Sequence, residues 1–168
     1  QEISLCEISS IDKNIALNIS RLLRSGGLDN YRKFLNCLNY LVIDEKLIPD
    51  DFLNITFYAD PYLHDWKNES GEKIGIISYK SLFLANEIEV NEKLNLQLRK
   101  CGLSPKTFFI STLKDHIIQK KLIDIFKKED IKLIITTTSF SSSQIKNNEL
   151  IENSTNIFTS LKIPILQL

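Results

Sequence analysis

The chain has no methionine, five glycines among 168 residues and a single tryptophan, Trp66. Lys+Arg and Asp+Glu number 21 each, so no excess charge of either sign draws it towards nucleic acid or an acidic membrane surface. No apolar run approaches the roughly 20 residues that span a bilayer, and the first residues lack the basic-then-apolar pattern of a secretion signal. These absences predict a cytoplasmic protein without a nucleic-acid or membrane partner.

The three cysteines, Cys6, Cys37 and Cys101, are far apart in the sequence. They form no C-x-x-C pair and lack the density of a disulfide-stabilised secreted domain. The two histidines, His64 and His116, belong to no group with metal-ligand spacing. The sequence therefore predicts no metal site and no resident cofactor in this chain.

The first part of the chain, residues 1–46, is predicted to form a helical hairpin. Apolar residues recur every three or four positions on both sides of Gly26-Gly27, which is typical of two amphipathic helices joined by a short turn. The second helix is expected to bury one apolar face, formed by Tyr31, Phe34, Leu35, Leu38, Leu41 and Val42. Residues 47–72 contain two prolines and many Asp and Asn residues, and they are predicted to be an irregular connector.

Residues 73–168 alternate between apolar runs and helical patterns, which predicts a parallel α/β domain. Strands are expected at 74–79, 107–111, 133–137 and 163–168. Helices are expected at 84–100, with Ile88, Val90, Leu94 and Leu98 inward, from Asp115 to about 126, and at about 150–161. Right-handed crossovers predict a four-stranded parallel sheet of order 2-1-3-4, like flavodoxin or Rossmann folds, with helices on both faces. Because the chain stops within the last strand, the domain is expected to be truncated there.

Ligands of such sheets bind beyond the carboxyl ends of the strands, where the strand order reverses. This rule brings together Tyr79, Lys80 and Ser81 after the first strand and Thr138, Ser139 and Ser141 after the third. The group is rich in hydroxyls and has one cation, but it lacks the glycine-rich loop that binds phosphates. The sequence therefore predicts six ligand-facing or interface-facing residues and no catalytic residue.

The sequence contains the segments GGLDN, GIISYKSLFLA, FFISTLKD, IITTTSFS and PILQ, in this order. In sequence and order they resemble the large subunit of cobaltochelatase and its magnesium chelatase counterpart. Residues 75–85 (GIISYKSLFLA) are similar to a stretch "G-I-L-x-Y-R-S-x-Y-L-A" of that family, and 134–141 (IITTTSFS) to "I-x-N-x-T-A-F-S". Residues 108–115 (FFISTLKD), 164–167 (PILQ) and 26–30 (GGLDN) resemble "v-F-v-S-s-L-K-D", "P-V-L-Q" and "G-G-x-x-N". Lys80, Leu82 and Phe83 stand where the family typically has Arg, His and Tyr.

This resemblance implies that the chain is one part of a large tetrapyrrole-binding subunit. Such a subunit would insert cobalt into a corrin precursor in cobalamin synthesis, or magnesium into a porphyrin, as a ligase that forms nitrogen–metal bonds. ATP would be hydrolysed by separate partner subunits, and the segment alone would be inactive. Two alternatives stay open: a small-ligand-binding α/β module, and a scaffold domain within the same large subunit.

Overall fold

The computed structural model describes residues 10–64, 69–138, 145–146, 149–150 and 161–168. The chain divides into two compact units. One runs to Tyr58 and includes Leu84–Asn86, and the other comprises Ala59–Phe83 and Glu87–Leu168. No helix within the described ranges is long and apolar enough to cross a membrane.

The first unit is built on helices α1 (Lys13–Ser25) and α2 (Leu28–Ile43), followed by 3-10 turns at Glu45–Leu47 and Asp50–Leu53. The carboxylate of Asp12 starts α1 by accepting hydrogen bonds from the backbone amides of Asn14 (2.8 Å) and Ile15 (3.2 Å). The core between the helices and turns consists of Ile19, Leu22, Cys37 and Ile48, with half-buried apolar residues around them. The burial of Cys37 raises the pKa of its thiol.

Helix α2 does not bury the single apolar face predicted from its sequence. Phe34 and Leu41 do pack against the core of the unit. Leu35, Leu38 and Val42 instead have 58%, 38% and 88% of their surface exposed. Two adjacent apolar stripes on a helix lie within about a quarter-turn of each other. A prediction from spacing alone therefore treats them as one wide apolar face.

Asn30 joins the turn between the helices to a later segment of the same unit. Its amide nitrogen donates to the carbonyl oxygens of Gly26 (2.8 Å) and Thr56 (2.9 Å), and its amide oxygen accepts from the Thr56 backbone nitrogen (2.8 Å). Asn30 is fully buried, and these three bonds give its amide group the hydrogen-bond partners that water cannot provide. This geometry explains why an asparagine follows the two glycines in the sequence GGLDN.

The second unit contains a five-stranded mixed sheet. Its strands are β1 (Tyr62–His64), β2 (Lys73–Tyr79), β3 (Ser104–Ile110), β4 (Leu133–Thr136) and β7 (Ile165–Gln167). They stand in the order β1-β3-β2-β4-β7, with β1 antiparallel to β3 and the other neighbours parallel. The prediction of a four-stranded parallel sheet is therefore wrong in strand number and in the direction of one edge strand. Two further strands, β5 (Ile145–Lys146) and β6 (Glu149–Leu150), form a separate antiparallel pair.

Helices cover the sheet on both faces. They are α3 (Lys80–Leu84), α4 (Glu89–Lys100) and α5 (His116–Lys128). One face of the sheet packs Ile74, Ile76 and Ile135 against Leu94 and Leu98 of α4. The other packs against α5 in the main core, which contains Ile77, Phe108, Ile110, Leu113, Ile118, Leu122, Phe126, Ile131 and Ile134.

The helix predicted at 84–100 is two helices. Asn86 adopts the left-handed conformation (φ 61°) between α3 and α4, which ends the first helix before the second begins. As a result α4 buries Asn91 and Asn95, while Val90, predicted to face inward, is 74% exposed. The helix predicted at about 150–161 lies almost wholly outside the described residues.

Candidate functional site

The carboxyl ends of β2, β3 and β4 form the edge of the sheet at which the sequence predicted a site. The chain leaves β2 for β3 on one side and then returns across β2 to β4 on the other, so the strand order reverses between β2 and β4. Ile77 pairs with Thr136, and continuing this register places Tyr79 opposite Thr138. The fold thus brings Tyr79 next to Thr138, as the sequence predicted for these two residues.

The predicted site residues differ in how far they reach solvent. Tyr79 ends β2, and Lys80 and Ser81 open α3; Tyr79 and Lys80 are half-buried and Ser81 is exposed. Thr138 is buried, with 2% of its surface exposed. Ser139 and Ser141 lie outside the described residues. A ligand-facing role for all six stays a prediction.

The hydroxyls behind this edge hydrogen-bond to one another. The Thr136 and Thr138 hydroxyl oxygens are 2.8 Å apart, and the Thr138 backbone amide donates to the Thr136 hydroxyl at 3.2 Å. The Thr137 hydroxyl donates to the Ser78 hydroxyl at 3.0 Å and so joins β4 to β2. Buried hydroxyls without partners would be costly, and these bonds satisfy the hydroxyls of Thr136 and Thr138 at the edge of the sheet.

Asp60 attaches the segment before β1 to the end of β3. Its carboxylate oxygens accept from the backbone amide of Ser111 at 3.2 and 3.4 Å, and its carbonyl oxygen accepts from the Lys121 ammonium at 3.3 Å. This carboxylate lies at the same edge of the sheet as Tyr79, because Tyr79 pairs with Ile110. No sequence signal marks Asp60 as part of this edge, because it is in a stretch with no strand pattern.

A group of four rings lies on the α4 face of β1 and β3. Phe83 is 4.4 Å from Tyr62, 5.4 Å from Phe109 and 5.6 Å from His64 between ring centroids. His64 is also 5.8 Å from Phe109 in an edge-on arrangement. The sequence could not place His64 here, because its three-residue strand has too few positions to show an alternating pattern. The imidazole of His64, in strand β1, therefore lies beside Phe83 of helix α3, next to the position where Leu82 replaces the histidine typical of the family.

A buried charge lies towards the amino-terminal end of the sheet. Lys106 has 1% of its surface exposed, and burial lowers the pKa of its ammonium, with opposing contributions from neighbouring charges of both signs. Two ion pairs lie near it, Lys73 with Glu129 (2.9 Å) and Arg99 with Glu69 (2.9 Å). These residues are remote from the predicted site, so we assign them to the stability of the fold.

Among the side chains that the structure describes, no three or more His, Cys, Asp or Glu residues are grouped so that they could hold a metal ion. The described side chains at the carboxyl edge instead offer hydroxyls, the ammonium groups of Lys80 and Lys121, and the Asp60 carboxylate. Such groups can hydrogen-bond and pair with charges on a ligand or on another protein surface.

Comparison with known proteins gives consistent matches over most of the chain. A family model described as CobN/Magnesium Chelatase matches residues 20–168. The uncharacterized protein MJ0908 of Methanocaldococcus jannaschii is 29% identical over 182 residues, covering 94% of this chain and 15% of the relative. The aerobic cobaltochelatase subunit CobN of Pseudomonas aeruginosa is 25% identical over 138 residues, covering 76% of this chain and 11% of that protein.

A solved structure has the same fold. The catalytic subunit of cobaltochelatase from Mycobacterium tuberculosis superposes with a TM-score of 0.70 at 19% sequence identity, over 98% of this chain and 14% of that one. The chain thus spans 11% to 15% of the length of the proteins it matches.

Proposed function

Since the chain belongs to the CobN/magnesium chelatase family, we propose that it is a segment of the large, tetrapyrrole-binding subunit of a metal chelatase. The reaction proposed for the whole subunit is insertion of cobalt into a corrin precursor in cobalamin synthesis, with ATP hydrolysed by partner subunits. The observation that carries this proposal is the family match over residues 20–168, supported by the names of two relatives, a cobaltochelatase subunit and a cobaltochelatase catalytic subunit.

The segment's part in that reaction is to hold substrate at the carboxyl edge of the sheet. Corrin precursors carry carboxylate side chains, and Lys80 would offer an ammonium group to one of them from the first turn of α3. Tyr79 and Ser81 would add hydroxyl contacts beside it. The hydroxyl pairs Thr136–Thr138 and Thr137–Ser78 would keep this surface rigid, so that little ordering is required when the ligand binds.

A scaffold role within the same subunit is the second candidate. One observation favours it: the hydroxyls of Thr136, Thr137 and Thr138 are already engaged with protein partners. Engaged hydroxyls have less capacity left for a ligand. The two candidates differ in whether the carboxyl edge contacts tetrapyrrole, and ligand titration separates them.

The experiment is a titration of the purified chain with a hydrogenobyrinate-type corrinoid, followed by Trp66 fluorescence and the visible band of the corrinoid. We expect saturable binding that Lys80→Ala weakens about tenfold or more, as for the loss of a charge-assisted hydrogen bond. Lys128→Ala, an exposed lysine at the far end of α5, is the matched control and should leave the affinity unchanged. Absence of binding at high corrinoid concentration would contradict the substrate-holding role and leave the scaffold.

A second measurement addresses catalysis itself. We expect the 168-residue chain alone to insert no metal into the corrinoid, because the proposal places the insertion chemistry and the ATPase elsewhere in the complex. Cobalt insertion by this chain without partners, followed by the shift of the corrinoid spectrum, would contradict that part of the proposal.

A further inference from the structure

Helix α2 has apolar residues on two sides, and the unit covers one of them. Phe34, Cys37 and Leu41 face the core of the first unit. A second series, here called the outer stripe, lies on the adjacent side of the helix and consists of Leu28, Tyr31, Leu35, Leu38 and Val42. Tyr31 is half-buried, and the other four are 43%, 58%, 38% and 88% exposed in sequence order.

The spacing of the outer stripe is regular. Its members are separated by three, four, three and four residues, which is the pattern of the apolar seam in a pair of packed helices. Scattered exposed apolar residues are normal on a protein surface, but five at this spacing along four turns of one helix form a continuous ridge. Side chains in such a ridge fit the grooves of a second helix.

The size of the outer stripe indicates what kind of partner covers it. From its exposed fractions, the stripe presents on the order of 400 Å² of apolar surface, within the range of the largest patches on monomers, which are often functional. A stable association of separate proteins buries about 800 Å² on each partner, roughly twice this area. A partner tethered to the same polypeptide needs less area, because its effective concentration reaches about the millimolar range.

We propose that the outer stripe is the seat of an amphipathic helix from another part of the same large subunit. The proposal rests on the proposed function, because it requires the chain to be one segment of a longer polypeptide like its relatives, of which it spans 11% to 15%. Arg32 is exposed and flanks the stripe. The covering helix is therefore expected to carry apolar residues at alternating spacings of three and four, with an acidic residue facing Arg32.

The test measures the accessibility of a thiol placed in the stripe. Leu35→Cys is introduced with Cys6→Ser and Cys101→Ser, in the 168-residue chain and in the full-length polypeptide that contains it. Labelling by a small maleimide is followed over time, and the peptide that carries position 35 is identified by mass spectrometry. Asn36→Cys is the matched control, because Asn36 is exposed on the polar side of the same helix.

We expect both thiols to react at similar rates in the 168-residue chain. In the full-length polypeptide we expect Leu35→Cys to react at least tenfold more slowly, while Asn36→Cys is unchanged. Equal labelling of Leu35→Cys in both preparations would overturn the proposal. Protection that is already present in the 168-residue chain and disappears on dilution would also overturn it, because the occupant would then be a second copy.

A second variant gives an independent readout. Leu35→Lys should leave the melting temperature of the 168-residue chain within about 1 °C, because Leu35 is 58% exposed there, and should lower that of the full-length polypeptide by several degrees. A drop of equal size in both would show that Leu35 supports its own unit and would contradict the proposal. Neither readout depends on corrinoid binding or metal insertion, so a failure of the substrate-holding role and a failure of this inference give different results.

Discussion

Replacing Asn30 by alanine removes the side chain that joins the α1–α2 turn to Thr56. The substitution deletes three hydrogen bonds and leaves the Thr56 amide and the carbonyls of Gly26 and Thr56 without their partner. At about 1 kcal/mol for each bond, the first unit should lose roughly 3 kcal/mol of stability. Because Thr56 is half-buried and water can reach part of the vacated groups, we expect about 2–3 kcal/mol.

Hydrogen exchange of the α1 and α2 backbone amides is the suitable assay, because it reports on the first unit without requiring the second to unfold. A loss of about 2–3 kcal/mol corresponds to exchange that is roughly 30- to 150-fold faster for the most protected amides. Asn36→Ala, on the exposed side of the same helix, should change these rates little.

Asn30→Asp sharpens the test. An aspartate keeps an acceptor for the Thr56 amide but turns an oxygen towards two carbonyl oxygens, where the amide nitrogen donated. At neutral pH it should therefore destabilise the unit at least as much as alanine does. If Asn30→Ala accelerated exchange less than fivefold, or if Asn30→Asp were milder than Asn30→Ala, the hydrogen-bond argument would be refuted.

Two further substitutions test the second unit. Leu122→Ala truncates a fully buried side chain in the main core and should lower the free energy of unfolding by about 2–5 kcal/mol, measured by denaturant unfolding followed by circular dichroism. The control Ile117→Ala, at a residue that is 67% exposed on the same helix, should lower it by under about 0.5 kcal/mol. Similar losses for the two variants would contradict the assigned core. Lys106→Met removes a buried ammonium whose pKa is lowered because its desolvation outweighs the opposing carboxylates Glu69 and Glu129, so we expect stability at pH 7 to rise. At a pH between the lowered pKa and the ordinary value of 10.5, Lys106 is deprotonated in the native state but still protonated in the unfolded state. The stability of the wild type therefore rises with pH in that window, and the advantage of Lys106→Met should shrink. Destabilisation by Lys106→Met at pH 7 would show that the ion contacts of the amine outweigh its desolvation.

The sequence was most informative where apolar residues run without interruption. The runs around Ile76, Phe108 and Ile135 predicted buried strands, and these residues lie in β2, β3 and β4 with at most 4% of their surface exposed. Strand β1 was missed because three residues between polar segments carry no periodic signal. The missing edge strand is the reason why the predicted sheet had four strands rather than five.

Helix faces were harder to predict than strands. On α2 the residues Leu35 and Val42 satisfy the same spacing rule as Phe34 and Leu41, so sequence alone could not show that only the latter pair meets the core. Before α4, Asn86 adopts a left-handed conformation that separates α4 from α3. As a result Asn91 and Asn95 are buried on α4, and Val90 is not. A local backbone conformation of this kind depends on tertiary contacts that a periodicity count does not contain.

The relative position of two residues of the candidate site was predicted from the sequence. The crossover rule places Tyr79 opposite Thr138 from the order of strands and helices alone, and the register of β2 with β4 agrees. The rule could not predict that Asp60 and His64 lie beside β3. Their segment is positioned by its pairing with the edge of β3, which the rule does not consider. Residues that reach a site from an irregular segment have no sequence pattern that marks them.

The short strand β1 also limits how readily the sheets of two molecules can pair edge to edge. Strand addition needs a long row of unpaired backbone groups, and the seven-residue strands β2 and β3 would offer one if they stood at an edge. Strand β2 is instead paired on both sides, and β1 covers β3 at Thr107–Phe109, while Pro105 has no N–H to donate. Within the described residues the sheet therefore ends in the three-residue strands β1 and β7, which are too short to give an incoming strand more than a few hydrogen bonds.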